Sequence, residues 1–303
     1  MPTTPSPLRY PGGKSALSRY VKTLLSQNDL AGGHYVEPYA GGAGLALGLL
    51  FSGYSSEIHL NDLNPAVHNF WFVALNHSVE LQKLVEATNV GIDEWHKQKA
   101  RFEQSIGTDP LSHAFATLFL NRTNRSGILA AGVIGGKNQD GNYKLDARYS
   151  KETLLDKLKQ INLYGNRIHL YNHDAAVLMT STLPYLPLRT LVYFDPPYYV
   201  KGQNLYQNHY QHDDHKVIAE LIQNSEIPYW MVSYDNVPQI ETLYRGRRNI
   251  TYHLNYSAQR HMKGSEIIIF GDNLKIPDID NPAKVPKKAL TYNLWTVANK
   301  LAS

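Results

Sequence analysis

Short apolar runs and stretches with apolar residues at helical spacing alternate along the chain. HYVEPY at 34–39 reads as a strand, followed by a glycine turn and an apolar helix over Leu45–Phe51. Glu57–Leu60 is a second strand, ending at Asn61-Asp62. Asn64-Pro65 opens a helix, because proline is tolerated at the first helical position. From there to Leu120 the spacing is helical, most clearly in Leu81–Val85 and Ala114–Leu120. Asn121–Tyr149 interrupts it: this stretch is rich in Gly and Asn, and its Gly135-Gly136 and Asp140-Gly141 pairs fit a hairpin built around a turn. A helix over Glu152–Leu163 follows. The chain then reads strand Arg167–Tyr171, helix Ala175–Thr182, strand Thr190–Phe194, helix Asp213–Gln223, strand Pro228–Ser233 and helix Val237–Tyr244. Two strands with no helix between them, Asn249–Asn255 and Ser265–Phe270, come last. Strand–helix alternation predicts a parallel sheet, and the final pair an antiparallel hairpin at its edge. After Leu274 the chain reads as a loose extension, with a helix over Leu290–Leu301.

Composition narrows the class. The 303 residues, 43% apolar and 18% charged, suit two domains or one large α/β domain with an insertion. With no cysteine, disulfide scaffolds, thiolate metal sites and cysteine nucleophiles are excluded. The longest apolar stretch, Ala40–Phe51, is too short to span a bilayer. MPTTPSPLRYPGGK has no apolar core of the secretory kind, so a cytoplasmic location is expected. The net charge of +4 says little, but the basic residues cluster. One group is Arg9, Lys14, Arg19 and Lys22; a second lies between Asn121 and Lys151; a third is Arg245, Arg247, Arg248, Arg260 and Lys263. Charge gathered this way suits a polyanion such as DNA.

The sharpest chemical signal is Asp195-Pro196-Pro197-Tyr198, directly after the apolar strand Thr190–Phe194. In open α/β sheets ligands bind beyond the carboxyl ends of strands. An exocyclic aromatic amine is a poor nucleophile because its lone pair is delocalised into the ring. Asp195 can accept one amine hydrogen and the Pro196 carbonyl the other, with Pro196 and Pro197 together holding that backbone rigid, so that the nitrogen pyramidalises and its lone pair is freed. Tyr198 offers a face on which an extruded base can stack.

A second signal is EPYAGGAG at 37–44, with Asp62 at the end of the next strand. A glycine turn lets a ligand approach the backbone, and an acid at that strand end can bind ribose hydroxyls. The dinucleotide pattern G-x-G-x-x-G fails at Leu47, which favours a nucleoside cofactor without a pyrophosphate. YPGGKS at 10–15 lacks the first glycine of a phosphate loop, Leu8 standing in its place. His209, His212, Asp213, Asp214 and His215 have metal-ligand types, but the acids also suit a helix start, and no metal is expected.

Taken together, RYPGGK, VEPYAGG, ND at 61–62 and FDPPYY resemble the Dam-like family of DNA adenine methyltransferases, over roughly residues 7–271. LFLNRTNRSG at 118–127 is similar to the entrance of that family's DNA-recognition hairpin, and VSYDN at 232–236 to the strand after DPPY. The resemblance implies S-adenosylmethionine as methyl donor. It also implies a Rossmann-like class I methyltransferase sheet, mostly parallel with an antiparallel final hairpin, and an inserted helical and β-hairpin DNA-recognition domain. The catalytic domain would comprise 1–75 and 165–275, the insert 76–164 with a basic hairpin at about 121–149, and 276–303 a C-terminal extension.

Carried over by residue, Tyr10 and Lys14 line the cofactor pocket. Glu37, Pro38, Tyr39, Gly41 and Gly42 surround its methionine end, Asp62 holds the ribose, and Asp174 contacts the adenine. Asp195 borders both cofactor and target. Ala43 and Ala175 depart from the family, which often has Gly and Phe there. Arg122, Asn124, Arg125, Lys137, Asn138, Lys144 and Arg148 are expected to contact double-stranded DNA, with no membrane partner and a monomer or weak dimer as the working form. Cytosine methylation at its exocyclic amine, or a catalytically silent DNA-binding module, are the alternatives.

Overall fold

The computed structural model describes residues 4–10, 14–200, 210–255 and 263–286. Pro11, Gly12, Gly13, His209, Arg260 and the helix expected over 290–301 lie outside them, as does the side chain of Lys263.

Seven strands form one sheet. They are β1 (Gly33–Glu37), β2 (Ser55–Asn61), β3 (Ile168–Tyr171), β4 (Thr190–Phe194), β5 (Trp230–Asp235), β6 (Asn249–Asn255) and β7 (Lys263–Phe270). Their order is β3-β2-β1-β4-β5-β7-β6. All pairings are parallel except those of β7, which runs antiparallel to both β5 and β6. The expected parallel sheet with a final antiparallel hairpin is therefore present.

The central strand explains the layering. All five residues of β4 are buried, as a parallel strand covered on both faces requires. Leu191 and Tyr193 join the larger apolar cluster on one side, and Val192 and Phe194 the smaller one on the other. The larger cluster includes Leu24 of α1 (Ser18–Gln27), Leu47 of α2 (Gly44–Phe51) and Phe70 of α3 (Pro65–Asn76). It runs without a break into helices α4 (Ser78–Ala87), α5 (Ile92–Gln104), α6 (Pro110–Thr123) and α7 (Lys151–Leu163) through Leu81, Trp95, Phe119 and Leu158. The smaller cluster packs α8 (Ala175–Ser181), α9 (His212–Asn224) and α10 (Pro238–Leu243) against the opposite face through Leu178, Ile222 and Ile240. Helix starts follow local chemistry: Asn64, Asp109, Ser150 and Asp174 each cap a helix by accepting a backbone N–H.

The hairpin expected over 121–149 is replaced by irregular chain. Helix α6 runs on to Thr123, Arg125–Gly127 and Leu145–Arg148 are 3-10 turns, and the one antiparallel contact is an isolated bridge between Asn124 and Val133. Two causes are visible. Gly135 and Gly136 both have positive φ (83° and 77°), which turns the chain where a ladder would run. Amide side chains also take over the backbone bonds of a ladder: Asn124 Nδ2 donates to the carbonyls of Ile128 and Leu129, and Gln139 Nε2 to those of Ile134 and Gly136. Among the described residues no helix is long and apolar enough to cross a membrane.

Candidate active site

The strand order reverses between β1 and β4, and a cavity of about 500 Å³ opens there, beyond the carboxyl ends of the strands. All ten residues expected at the cofactor line it.

On its β1–β2 side the carboxylates are held by backbone. Glu37 Oε1 accepts the Tyr35 hydroxyl (3.1 Å) and the Ala46 N–H (3.2 Å), and burial pushes its pKa up to about 8. Asp62 Oδ2 accepts the Gly41 N–H (2.7 Å) and Oδ1 the Asn64 N–H (2.9 Å). Burial, only partly offset by these bonds, raises its pKa to about 6. Gly41 has φ +47°, and a Cβ there would stand 2.8 Å from the Tyr10 ring, so the loop needs glycine at this point. Trp71 Nε1 fixes the loop by donating to the Gly41 carbonyl (2.9 Å). Ala43, where the family often has Gly, also sits in the left-handed region (φ 47°), a strain of roughly 1–2 kcal/mol. Asp174 caps α8 through the Ala176 N–H and is exposed at the cavity rim.

The Asp195–Tyr198 turn follows β4 directly. Asp195 Oδ1 accepts the Ser233 hydroxyl from β5 (2.7 Å) and pairs with Lys14 Nζ (3.1 Å). Burial raises the Asp195 pKa, while Lys14 and Ser233 oppose the rise. Lys14 is itself buried; Asp195 and Glu266 outweigh the burial and hold its pKa above the usual lysine value. Pro197 lines the cavity, and Pro196 is buried behind it. Asp235 of VSYDN secures the turn by accepting the N–H groups of Tyr199 (2.8 Å) and Val200 (3.0 Å).

Tyr198 departs from expectation. It is buried, does not line the cavity, and its hydroxyl donates to Glu266 Oε1 (2.6 Å) while accepting from Lys14 Nζ (2.9 Å). Tyr252 donates to the other Glu266 oxygen (2.6 Å). The ring thus serves as a strut between charges in this structure, not as an open stacking face. Glu266 and Ser233 were not singled out as candidates. The signal for Glu266 was a lone acid inside the apolar run EIIIF of β7; Ser233 stood in the quoted VSYDN.

The DNA candidates divide. Lys137, Asn138, Lys144, Arg125 and Arg148 are exposed on the irregular loop. Asn124 is buried and accepts the Trp95 indole N–H (2.7 Å), so in this structure its amide faces the protein interior. Arg122 is half-buried and donates to the Arg148 carbonyl (2.6 Å); burial, Arg9 and Arg148 lower its pKa to about 10. Lys157 of α7 is lowered to about 8 by burial and then by Arg122. Arg9, Arg122, Arg148 and Lys157 therefore form a cationic cluster, and among the described residues none of the four is in a salt bridge. In the third basic group, Arg247 pairs with Asp272 (2.6 Å) and Arg248 donates to the Gly271 carbonyl (2.7 Å), so both fasten chain segments. Asp214 accepts the Gln211 N–H in a capping box at the start of α9, the helix-start alternative to ligating a metal.

A mostly parallel sheet with an acid-lined cavity beyond its strand ends, at the switch point, is the architecture of an α/β ligand-binding enzyme. Residues 10–262 match the model of the D12 class N6 adenine-specific DNA methyltransferases, and the chain belongs to that family. It is accordingly an adenine-specific DNA methyltransferase, which decides between the two exocyclic amines and against a silent binding module. No curated protein sequence matches the chain. Among solved structures, a putative RNA methyltransferase from Pyrococcus horikoshii is 9% identical, with 87% of this chain and 85% of that chain covered and a TM-score of 0.39. The rRNA methyltransferase aviRa from Streptomyces viridochromogenes is 13% identical, with 86% of each chain covered and a TM-score of 0.37. The family, not these distant likenesses, identifies the reaction.

Proposed function

We propose that the cavity binds S-adenosylmethionine and that Asp195 and the Pro196 carbonyl activate the N6 amine of an adenine rotated out of double-stranded DNA. The observation that carries this reading is the Asp195 carboxylate, which lines the same cavity as Glu37 and Asp62. The donor set suits the cofactor: Glu37 matches a cationic methionine end, Asp62 a ribose diol, and about 500 Å³ falls within the range of small-ligand sites. When bound, S-adenosylmethionine supplies an electrophilic methyl group on a positively charged sulfur.

The chain's own residues do the rest. Asp195 accepts one N6 hydrogen and the Pro196 carbonyl the other, which draws the nitrogen out of conjugation and frees its lone pair. Lys14 and Ser233 fix the carboxylate and keep it an acceptor. Tyr10 packs on Gly41 and shapes the cofactor side. Arg125, Lys137, Asn138, Lys144 and Arg148 meet the duplex, with the cluster around Arg9 and Arg122 behind them on the phosphates.

Digesting treated DNA to nucleosides and assaying 6-methyladenine tests the reading. Asp195→Ala is expected to lower the rate by about 10²–10⁴ while titration calorimetry shows cofactor binding largely retained. Near-normal turnover in that variant would end the mechanism.

A further inference from the structure

One polar cluster lies outside the catalytic cavity. On β1, β2 and β3 the side chains alternate, and one set (Tyr35, Ile58, Leu60, Ile168) enters the larger apolar core. The other set carries His34, Glu57, His59, His169 and Tyr171. The parallel register places His34 beside Glu57 and His59 beside His169. Five polar side chains thus share one face of three adjacent strands, and His59 is buried among them.

The geometry is close. His34 Nδ1 and His59 Nε2 are 2.9 Å apart. The potential ligand atoms of His34, Glu57 and His59 all lie within 4.8 Å of one another. The His59 ring stacks on His169 (4.5 Å between centroids) and on His34 (5.2 Å). His59 Nδ1 is 3.0 Å from the Tyr171 hydroxyl. With Tyr171 accepting Nδ1–H, the His59 Nε2 lone pair faces His34 Nδ1, the tautomer that a metal ligand requires. His169 Nε2 contacts Glu57 Oε2 at 2.5 Å and orients the carboxylate. Two imidazole nitrogens facing each other at 2.9 Å can be bridged by one proton, and a cation can take that proton's place.

We propose that His34 Nδ1, His59 Nε2 and a Glu57 carboxylate oxygen form a binding site for a transition-metal dication of the zinc class. Two imidazoles and one carboxylate suit zinc, whereas calcium and magnesium demand oxygen ligands. Zn–N and Zn–O bonds of about 2.0–2.2 Å at tetrahedral angles need ligand atoms roughly 3.3 Å apart, so small side-chain rotations close the site. His169 and Tyr171 are its positioning residues. The ion bridges β1 and β2 and clamps the β3 edge of the sheet through them.

The test uses the full chain freed of any polyhistidine tag and of metal, titrated with zinc alone in the presence of a weak competing chelator. One saturable site is expected, together with a zinc-dependent rise in Tm. His34→Ala and Glu57→Gln, both at partly exposed positions, are expected to weaken zinc binding at least about tenfold while the metal-free variants still melt cooperatively. His169→Ala is expected to weaken it less. The proposal is overturned if no saturable zinc binding is found, or if both His34→Ala and Glu57→Gln bind zinc as the parent does.

Discussion

At the scale of single residues, Tyr198 shows how burial redefines a role. As a ring for stacking, it should tolerate Phe. As a strut whose hydroxyl joins Lys14 to Glu266, it should not. A hydrogen bond to a buried charged group is worth about 1.5–3 kcal/mol, so Tyr198→Phe is expected to lower unfolding stability by that order in urea denaturation. An unchanged midpoint would return the residue to a stacking role.

Glu37 carries a pH signature of definite sign. Its carboxyl titrates near 8 in the folded chain against an ordinary 4.5, so between those values the unfolded chain has released a proton that the folded chain keeps. The stability associated with Glu37 is complete below about 4.5 and is lost as pH rises towards 8. The fall in stability from pH 5 to pH 8 is expected to be shallower in Glu37→Gln than in the parent, read from urea midpoints at the two values.

At the scale of elements, the irregular loop over 124–149 depends on its turns. A Cβ on Gly135 would lie 2.6 Å from the Tyr143 carbonyl, at a φ of +83°. Gly135→Ala therefore has to displace the loop, and is expected to weaken DNA binding while cofactor affinity stays within about twofold, the cavity having no contact with this glycine. Within the same loop, Arg125 distinguishes two kinds of contact. If it reads a base edge, Arg125→Ala costs about 1–3 kcal/mol at one target position and relaxes specificity there. If it touches phosphate alone, binding weakens equally on all sequences. Mapping methylated positions genome-wide for both proteins separates these outcomes.

At the scale of the whole molecule, the cationic rim is assembled from the N-terminal segment, α6, the loop and α7. Lys157, with its pKa lowered to about 8, is half charged at that pH and gains charge progressively below it. Phosphate favours the charged form, so DNA affinity is expected to fall between pH 7 and pH 9 in the parent and to fall less in Lys157→Arg. Lys157→Ala should also make the dependence of affinity on salt shallower by about one ion. Equal pH profiles for parent and Lys157→Arg would place this lysine away from the DNA.

Much of the sheet and the Asp195–Tyr198 turn was legible in the chain, because their information is local. A largely apolar pentapeptide followed by Asp-Pro-Pro-Tyr indicates a buried strand and a stiff turn at its end, and β4 spans the residues that the pattern indicated. Asn64-Pro65 likewise carries its helix start within itself. Helix α1 is absent from the sequence reading, although Tyr20, Val21, Leu24 and Leu25 form its apolar stripe. The loop over 124–149 was not legible as it is built, because Asn and Gln side chains can face outward or bond their own backbone, and only the packed loop decides which; Asn124 and Gln139 turned inward. Lys14 and Tyr198, 184 positions apart, meet because β4 inserts next to β1, and Glu266 reaches them because β7 reverses beside β5. The imidazoles of β1, β2 and β3 meet for the same reason. Periodicity along a chain sets which face a residue takes, but which strands become neighbours is settled by the global packing of helices on both faces, and that is where the distant charges of this protein find their partners.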